Sequence, residues 1–122
     1  VNKRAFRVED YLLHMLEAAD RVLAYTVGVT KEQFLTAPMI QDATIRNIEI
    51  IGEAANNLLQ ADPEFAERHP SIPFEQIHGM RNRVAHGYFA VSAEMVWETV
   101  AADIPELRAE ILRALNDLRG NA

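Results

Sequence analysis

At 122 residues and a formal net charge of −6, the chain is sized for one domain spanning 1–122, and its acidity argues against broad coating of nucleic acid, which rests on many phosphate contacts. Cysteine is absent, which excludes disulfides and thiolate metal sites. No apolar run approaches the ~18–20 residues of a membrane span, and the basic stretch Val1–Arg7 leads into no apolar signal core, so a cytoplasmic protein without membrane contact is expected.

Residues 7–26 set Val8, Tyr11, Leu12, Met15, Ala19, Val22 and Leu23 on one face at helical spacing. That pattern predicts an amphipathic helix of about five turns, ended by Gly28. Thr30 can cap a short turn over Lys31–Phe34, and Pro38 punctuates the start of the next helix. That second long helix, about Pro38–Gln60, turns Ile45, Ile48, Ile51, Gly52, Ala55, Leu58 and Leu59 inward. Its opposite face aligns Asp42, Arg46, Glu49, Glu53 and Asn56 at spacings of four, three, four and three. The plain reading is a solvated ridge with Arg46 paired to Asp42 and Glu49; the sharper one is that part of the ridge orients cations elsewhere in the chain.

Ala61–Ile72 is rich in prolines and should hold a turn of helix around Glu64–Arg68 inside a loop. Pro73 suits the first position of a third helix, whose stripe is Phe74, Ile77, Met80 and Val84 and whose stop is Gly87. Gly79 in its interior costs about 1 kcal/mol against alanine and points to close approach of another backbone. Ser92 caps a fourth helix with Glu94 in its first turn and Met95, Val96, Trp97, Val100 and Ala101 as its packing face. Pro105 must break or kink it before Leu107, Ile111, Leu115 and Leu118 continue a fifth segment, and Gly120–Ala122 should fray. With no β-alternation or repeat, the expected fold is all-α: an up-and-down bundle of four to five helices.

Chemistry concentrates in Gly79–Phe89. Two arginines, an asparagine, a histidine and a tyrosine fall within the eight residues Arg81–Tyr88, and the flanking acids are as distant as Glu75 and Glu94. Arg81 presents a planar fork matching two phosphate oxygens, and a histidine can both accept and donate protons near neutrality. Together Arg81 and His86 are the minimum for cleaving an RNA phosphodiester through its own 2′-hydroxyl, with no metal. On one continuous helix, five residues separate them by roughly 140°, so a shared cleft needs unwinding near Gly87 or a second copy across a two-fold axis. The structural alternative is that these side chains are caps and surface charges.

The pattern Arg81-x4-His86-x-Tyr88 resembles the HepT-like family of the HEPN superfamily. Asp42–Ala55 (DATIRNIEIIGEAA) and Pro73–Asn82 (PFEQIHGMRN) look like two further family signatures, and Val96-Trp97 and Leu107 fall where the relatives continue. The likeness runs from about Val8 to Leu118; Phe74 departs from it, standing where many relatives carry tryptophan. The resemblance implies a small α-helical homodimer whose paired Arg–His motifs form a metal-independent endoribonuclease cleft. It also implies the toxin of a type VII-like toxin–antitoxin module, acting on an RNA such as tRNA or mRNA. Its antitoxin would be a cognate minimal nucleotidyltransferase that transfers AMP from ATP to the motif tyrosine. Carried over by position, Arg81 and His86 are catalytic, Asn82 supports them, and Tyr88 accepts AMP. Arg83 is a candidate phosphate contact, and Glu49 and Glu53 are candidate supports behind the site.

Other candidates carry less. His69, His78 and His86 lack the short spacings of a helical metal site, so neither metal nor cofactor is expected. His14 falls on the polar side of the first helix, Trp97 at a core or interface position, and no serine or threonine forms a nucleophile arrangement. A rival from another class is a non-catalytic helical dimer that regulates a nucleotidyltransferase or binds nucleotide. An orphan dimer with a decayed site is a third reading, opposed by the intact motif.

Overall fold

A computed structural model describes residues 3–120, with side chains from Arg7 onward. Among the described residues there are eight helices and no strand: α1 (Lys3–Thr26), α2 (Lys31–Leu35), α3 (Pro38–Ala61), α4 (Phe65–Arg68), α5 (Phe74–Ala85), α6 (Tyr88–Val91), α7 (Ala93–Ala102) and α8 (Ile104–Gly120). The five long helices are the expected bundle, and α2 and α4 fall where short turns were expected. One short helix, α6, had no sequence forecast. The fray expected at Gly120–Ala122 does not begin at Gly120, which closes α8; Asn121 and Ala122 lie outside the described residues.

The boundaries follow local chemistry. Gly28 takes φ 73°, a left-handed conformation that ends α1 without the steric cost of a Cβ. Thr30 and Gln33 form a reciprocal capping box at α2: the Thr30 hydroxyl accepts from the Gln33 N–H at 3.1 Å, and the Gln33 side chain accepts from the Thr30 N–H at 2.9 Å. Pro38 occupies the start of α3. Pro73 is the N-cap of α5 and not its first residue, a one-position correction. The Ser92 hydroxyl accepts from the Met95 N–H at 3.2 Å, a cap worth about 1 kcal/mol. Helix continuity breaks at Asp103, with Pro105 in the first turn of α8, where its missing N–H is harmless.

The core forms where α1 packs along α3, with α8 on α1 and α5 on α3. Leu12, Met15 and Val22 of α1 and Ile48, Ile51 and Leu58 of α3 are wholly buried there. The short helices serve as anchors, since α2 and α6 each sink one phenylalanine, Phe34 and Phe89, into the same core. Trp97 lies half-buried with its ring 5.3 Å from that of Phe34, a packing role. Arg108–Asp20 and Arg119–Glu9 pairs tie α8 to α1, and Arg21 donates to buried Asn47 at 2.7 Å between α1 and α3. No helix among the described residues is long and apolar enough to cross a membrane.

Lys31 of α2 meets Glu94 of α7 at 2.7 Å in solvent. Their hydrogen bond and mutual attraction hold the Glu94 carboxyl below its ordinary range and the Lys31 ammonium above its own. The link is therefore complete between the ordinary carboxylate and ammonium ranges. It is lost as pH falls through the lowered Glu94 value or rises through the raised Lys31 value. In an NMR pH titration the Glu94 side chain should show a midpoint below that of an ordinary glutamate, and Lys31→Ala should return it there. Because the pair is exposed, its loss should change global stability little.

Candidate functional site

Helix α5 lies on α3 through buried Ile77 and Met80, with Phe74 and Val84 half-buried, which leaves Arg81, Asn82, Ala85 and His86 exposed. His86 is the C-cap: its N–H donates to the Asn82 carbonyl at 2.9 Å. Gly87 then adopts φ 74°, and its N–H closes on the Val84 carbonyl at 3.1 Å. The chain re-enters one turn of helix, and burial of Phe89 holds Tyr88 on the outside, 53% exposed. The rings of His86 and Tyr88 lie 5.8 Å apart, so these two form one surface. The Arg83 guanidinium stands 6.0 Å over the Phe89 ring, which fixes it by a cation–π contact.

Arg81 is held differently. A Cβ built on Gly52 of α3 would meet Arg81 Cβ at 3.1 Å, Cγ at 3.2 Å and Cδ at 3.4 Å. The arginine stem therefore lies flush on the α3 backbone, and only a missing side chain makes room for it. The close approach expected at Gly79 is absent among the described residues, where the nearest neighbour of such a Cβ is the Arg83 Nη2 at 3.9 Å. The rule that an interior glycine marks close packing applies here to Gly52, which sequence reasoning placed in the core without a role.

Charge pairing sets Arg81 apart. Arg7 bonds Tyr11, Arg21 bonds Asn47, Arg46 bonds Glu49, Arg68 bonds Asp62, Arg108 bonds Asp20, Arg113 bonds Glu110 and Arg119 bonds Glu9. Arg83 has its ring contact. Among the arginines with described side chains, only Arg81 has no hydrogen bond, ion pair or ring partner. In an acidic chain, a guanidinium with a fixed stem and an unneutralised head can receive an anion from outside.

Glu49 and Glu53, the candidate supports, both face Arg46, the latter at 3.9 Å, and neither forms a hydrogen bond or ion pair with Arg81 or His86. The expected Arg46–Asp42 pair does not form. The Asn82 side chain is exposed and without a described partner. No hydrogen bond, ion pair or ring contact joins Arg81 to His86 within the chain. Of the other histidines, His14 is exposed beside Tyr11 and His69 stacks on Phe65 at 4.2 Å. No group of three or more potential ligands among the described residues could hold a metal ion.

Comparison with known proteins bears on this arrangement. Residues 15–114 match the family described as Ribonuclease HepT-like. A Methanocaldococcus jannaschii protein named as a gamma-glutamylcyclotransferase and, provisionally, an RNase is 41% identical over 114 residues, 93% of this chain; the chain spans only 50% of that relative. A provisionally named RNase of Caldanaerobacter subterraneus subsp. tengcongensis is 37% identical over 105 residues, 86% of this chain and 91% of the relative. A probable ribonuclease HepT of Thermococcus cleftensis is 37% identical over 102 residues, 84% of this chain and 90% of the relative. No solved structure matches the chain at a significant level.

Proposed function

The chain belongs to the HepT-like ribonuclease family, and from that premise we propose that it is a metal-independent endoribonuclease whose cleft combines Arg81 and His86 of two copies. The observation that carries the reading is the Arg81 guanidinium, held at its stem by Gly52 and left without an acid at its head. A scissile phosphate on that fork is activated as charge builds on its non-bridging oxygens. His86 takes the proton of the neighbouring 2′-hydroxyl as its oxygen bonds to phosphorus. The 5′-oxygen departs with its electron pair and takes a proton from the imidazolium of the second His86 in the cleft, leaving a 2′,3′-cyclic phosphate and a 5′-hydroxyl end. Asn82 and Arg83 border this path as polar and phosphate contacts. The exposed outer face of α5, bearing Arg81, Asn82, Ala85 and His86, is the surface that a two-fold partner would cover.

We further propose that the protein is the cytoplasmic toxin of a two-gene module, neutralised by a nucleotidyltransferase. In that step the Tyr88 phenolic oxygen attacks the α-phosphate of ATP, a tyrosyl–phosphate bond forms, and pyrophosphate leaves with the displaced electron pair. Tyr88 is exposed and its ring stands 5.8 Å from that of His86, so AMP there would bring bulk and negative charge against the histidine and compete with RNA for Arg81.

The test is cleavage of total RNA and tRNA in EDTA by protein of verified mass, alongside Tyr88→Phe, which cannot accept AMP. Cyclic phosphate ends are expected from both. If neither cuts, the ribonuclease reading fails and a helical dimer that regulates a nucleotidyltransferase takes its place.

A further inference from the structure

Beside the Arg81 stem, α3 and α5 enclose a small half-open cavity of about 60 Å³. Ala55 and Leu59 of α3 contribute its apolar wall, Phe74 an aromatic one, and Asn56, His78 and Arg81 its polar atoms. The Phe74 ring is held by an edge contact with Phe65, the centroids 6.1 Å apart. Asn56 is half-buried and His78 exposed, yet neither side chain has a hydrogen-bond partner among the described residues. A carboxamide offers an acceptor and two donors side by side, and an imidazole adds another polar atom. This is a slot of mixed polar and apolar lining, with one aromatic wall and hydrogen-bonding side chains left unused. It is too small for a folded ligand and adjoins the one described arginine without a partner.

Resting on the ribonuclease reading above, we propose that this slot is a nucleobase subsite: it takes the edge of the base adjoining the scissile phosphate while Arg81 holds that phosphate. The reasoning is steric and chemical. Once a phosphate sits on the guanidinium, the neighbouring nucleoside is the part of the strand within reach of a cavity against the same side chain. Bases are flat, with apolar faces and adjacent donors and acceptors on their edges, which suits a cavity lined by Leu59, Phe74 and the Asn56 amide together. The subsite would make cleavage base-selective, and Asn56 and His78 would set the selectivity.

Two measurements test this. The four nucleoside 3′-monophosphates are titrated into the whole protein by NMR, and the ends left from a random RNA pool are sequenced. One base should bind about 3- to 10-fold more tightly than the others, the range of one or two net hydrogen bonds, and the same base should be enriched beside the cut. Asn56→Ala and His78→Ala should flatten both preferences and raise KM more than they lower kcat. Arg81→Ala should weaken all four nucleotides alike. Equal binding of the four bases, or preferences unchanged in both variants, would overturn the subsite and leave the ribonuclease intact. Base-selective binding with unselective cleavage marks a free-nucleotide site and also overturns it. If wild-type protein cuts no RNA, the ribonuclease reading fails and the RNA subsite falls with it.

Discussion

Replacing His86 with alanine is expected to slow RNA cleavage by about 10²- to 10⁴-fold, the range lost with a general acid–base. Arg81→Ala should cost about 10²- to 10³-fold through lost stabilisation of charge on the phosphate oxygens. Arg81→Lys should fall in between, since it keeps the charge but not the planar fork. These losses should come without unfolding. Both side chains are exposed, and neither forms a hydrogen bond or ion pair with a described residue, so urea denaturation of His86→Ala should shift by no more than about 0.5 kcal/mol. Arg81→Ala should cost somewhat more, because it also loses the packing of its stem on Gly52, which Arg81→Lys largely keeps. A residue merely supporting the fold would show the reverse pattern. Mixed dimers of Arg81→Ala and His86→Ala sharpen the result, because each chain then lacks one partner. Recovered cleavage would mean that one cleft draws on both copies; none would mean that each chain needs its own pair. A loss under 10-fold in His86→Ala would remove the proton-transfer role.

The parts of this molecule that were readable in the sequence are those fixed by local chemistry. The α1 stripe, the Thr30 cap, Pro38, the Gly87 stop and the Pro105 break each need only a few neighbouring residues to be understood, and each stands where expected. Helix α6 was not readable because, unlike α2 with its Thr30 cap and α4 set between prolines, it has no side-chain cap at its start, and what holds it is tertiary: Phe89 finds the core. The site divides the same way. The residue types that could handle a phosphate were plain in Arg81–Tyr88, whereas the features that make Arg81 distinctive lie outside its segment. The absence of any acid at its guanidinium depends on where every other acid has gone; Glu49 and Glu53, aligned by sequence on one ridge, both face Arg46. The glycine that seats its stem belongs to a different helix, and spacing alone gave no reason to prefer Gly52 over Gly79.

That preference has a measurable consequence. Gly52→Ala adds a methyl group that would sit 3.1 Å from Arg81 Cβ and 3.2 Å from Cγ. These atoms are close to the α5 backbone, so the arginine cannot swing aside by a distal rotation; the stem or the helix must move. Two effects then oppose each other in stability. Alanine in place of glycine favours the helix by about 1 kcal/mol, while overpacking a well-fitted contact costs about 1–3 kcal/mol. The net change should be small and destabilising. Activity should respond more strongly, because displacing a catalytic group by a fraction of an ångström to 1 Å can cost up to about 10²-fold. The expected result is a drop in kcat of about 10-fold or more for Gly52→Ala, and a larger one for Gly52→Val, whose branched Cβ leaves less room to adjust. Gly79→Ala is the control. Its Cβ meets nothing closer than 3.9 Å, so helix propensity alone should raise stability by up to about 1 kcal/mol. If light scattering finds the wild type dimeric, as proposed, and Gly79→Ala monomeric, the close approach at that glycine comes from the second copy. If Gly52→Ala cuts RNA at the wild-type rate, the seat on α3 does not set the position of Arg81, and the guanidinium must be placed by contacts made only when RNA binds.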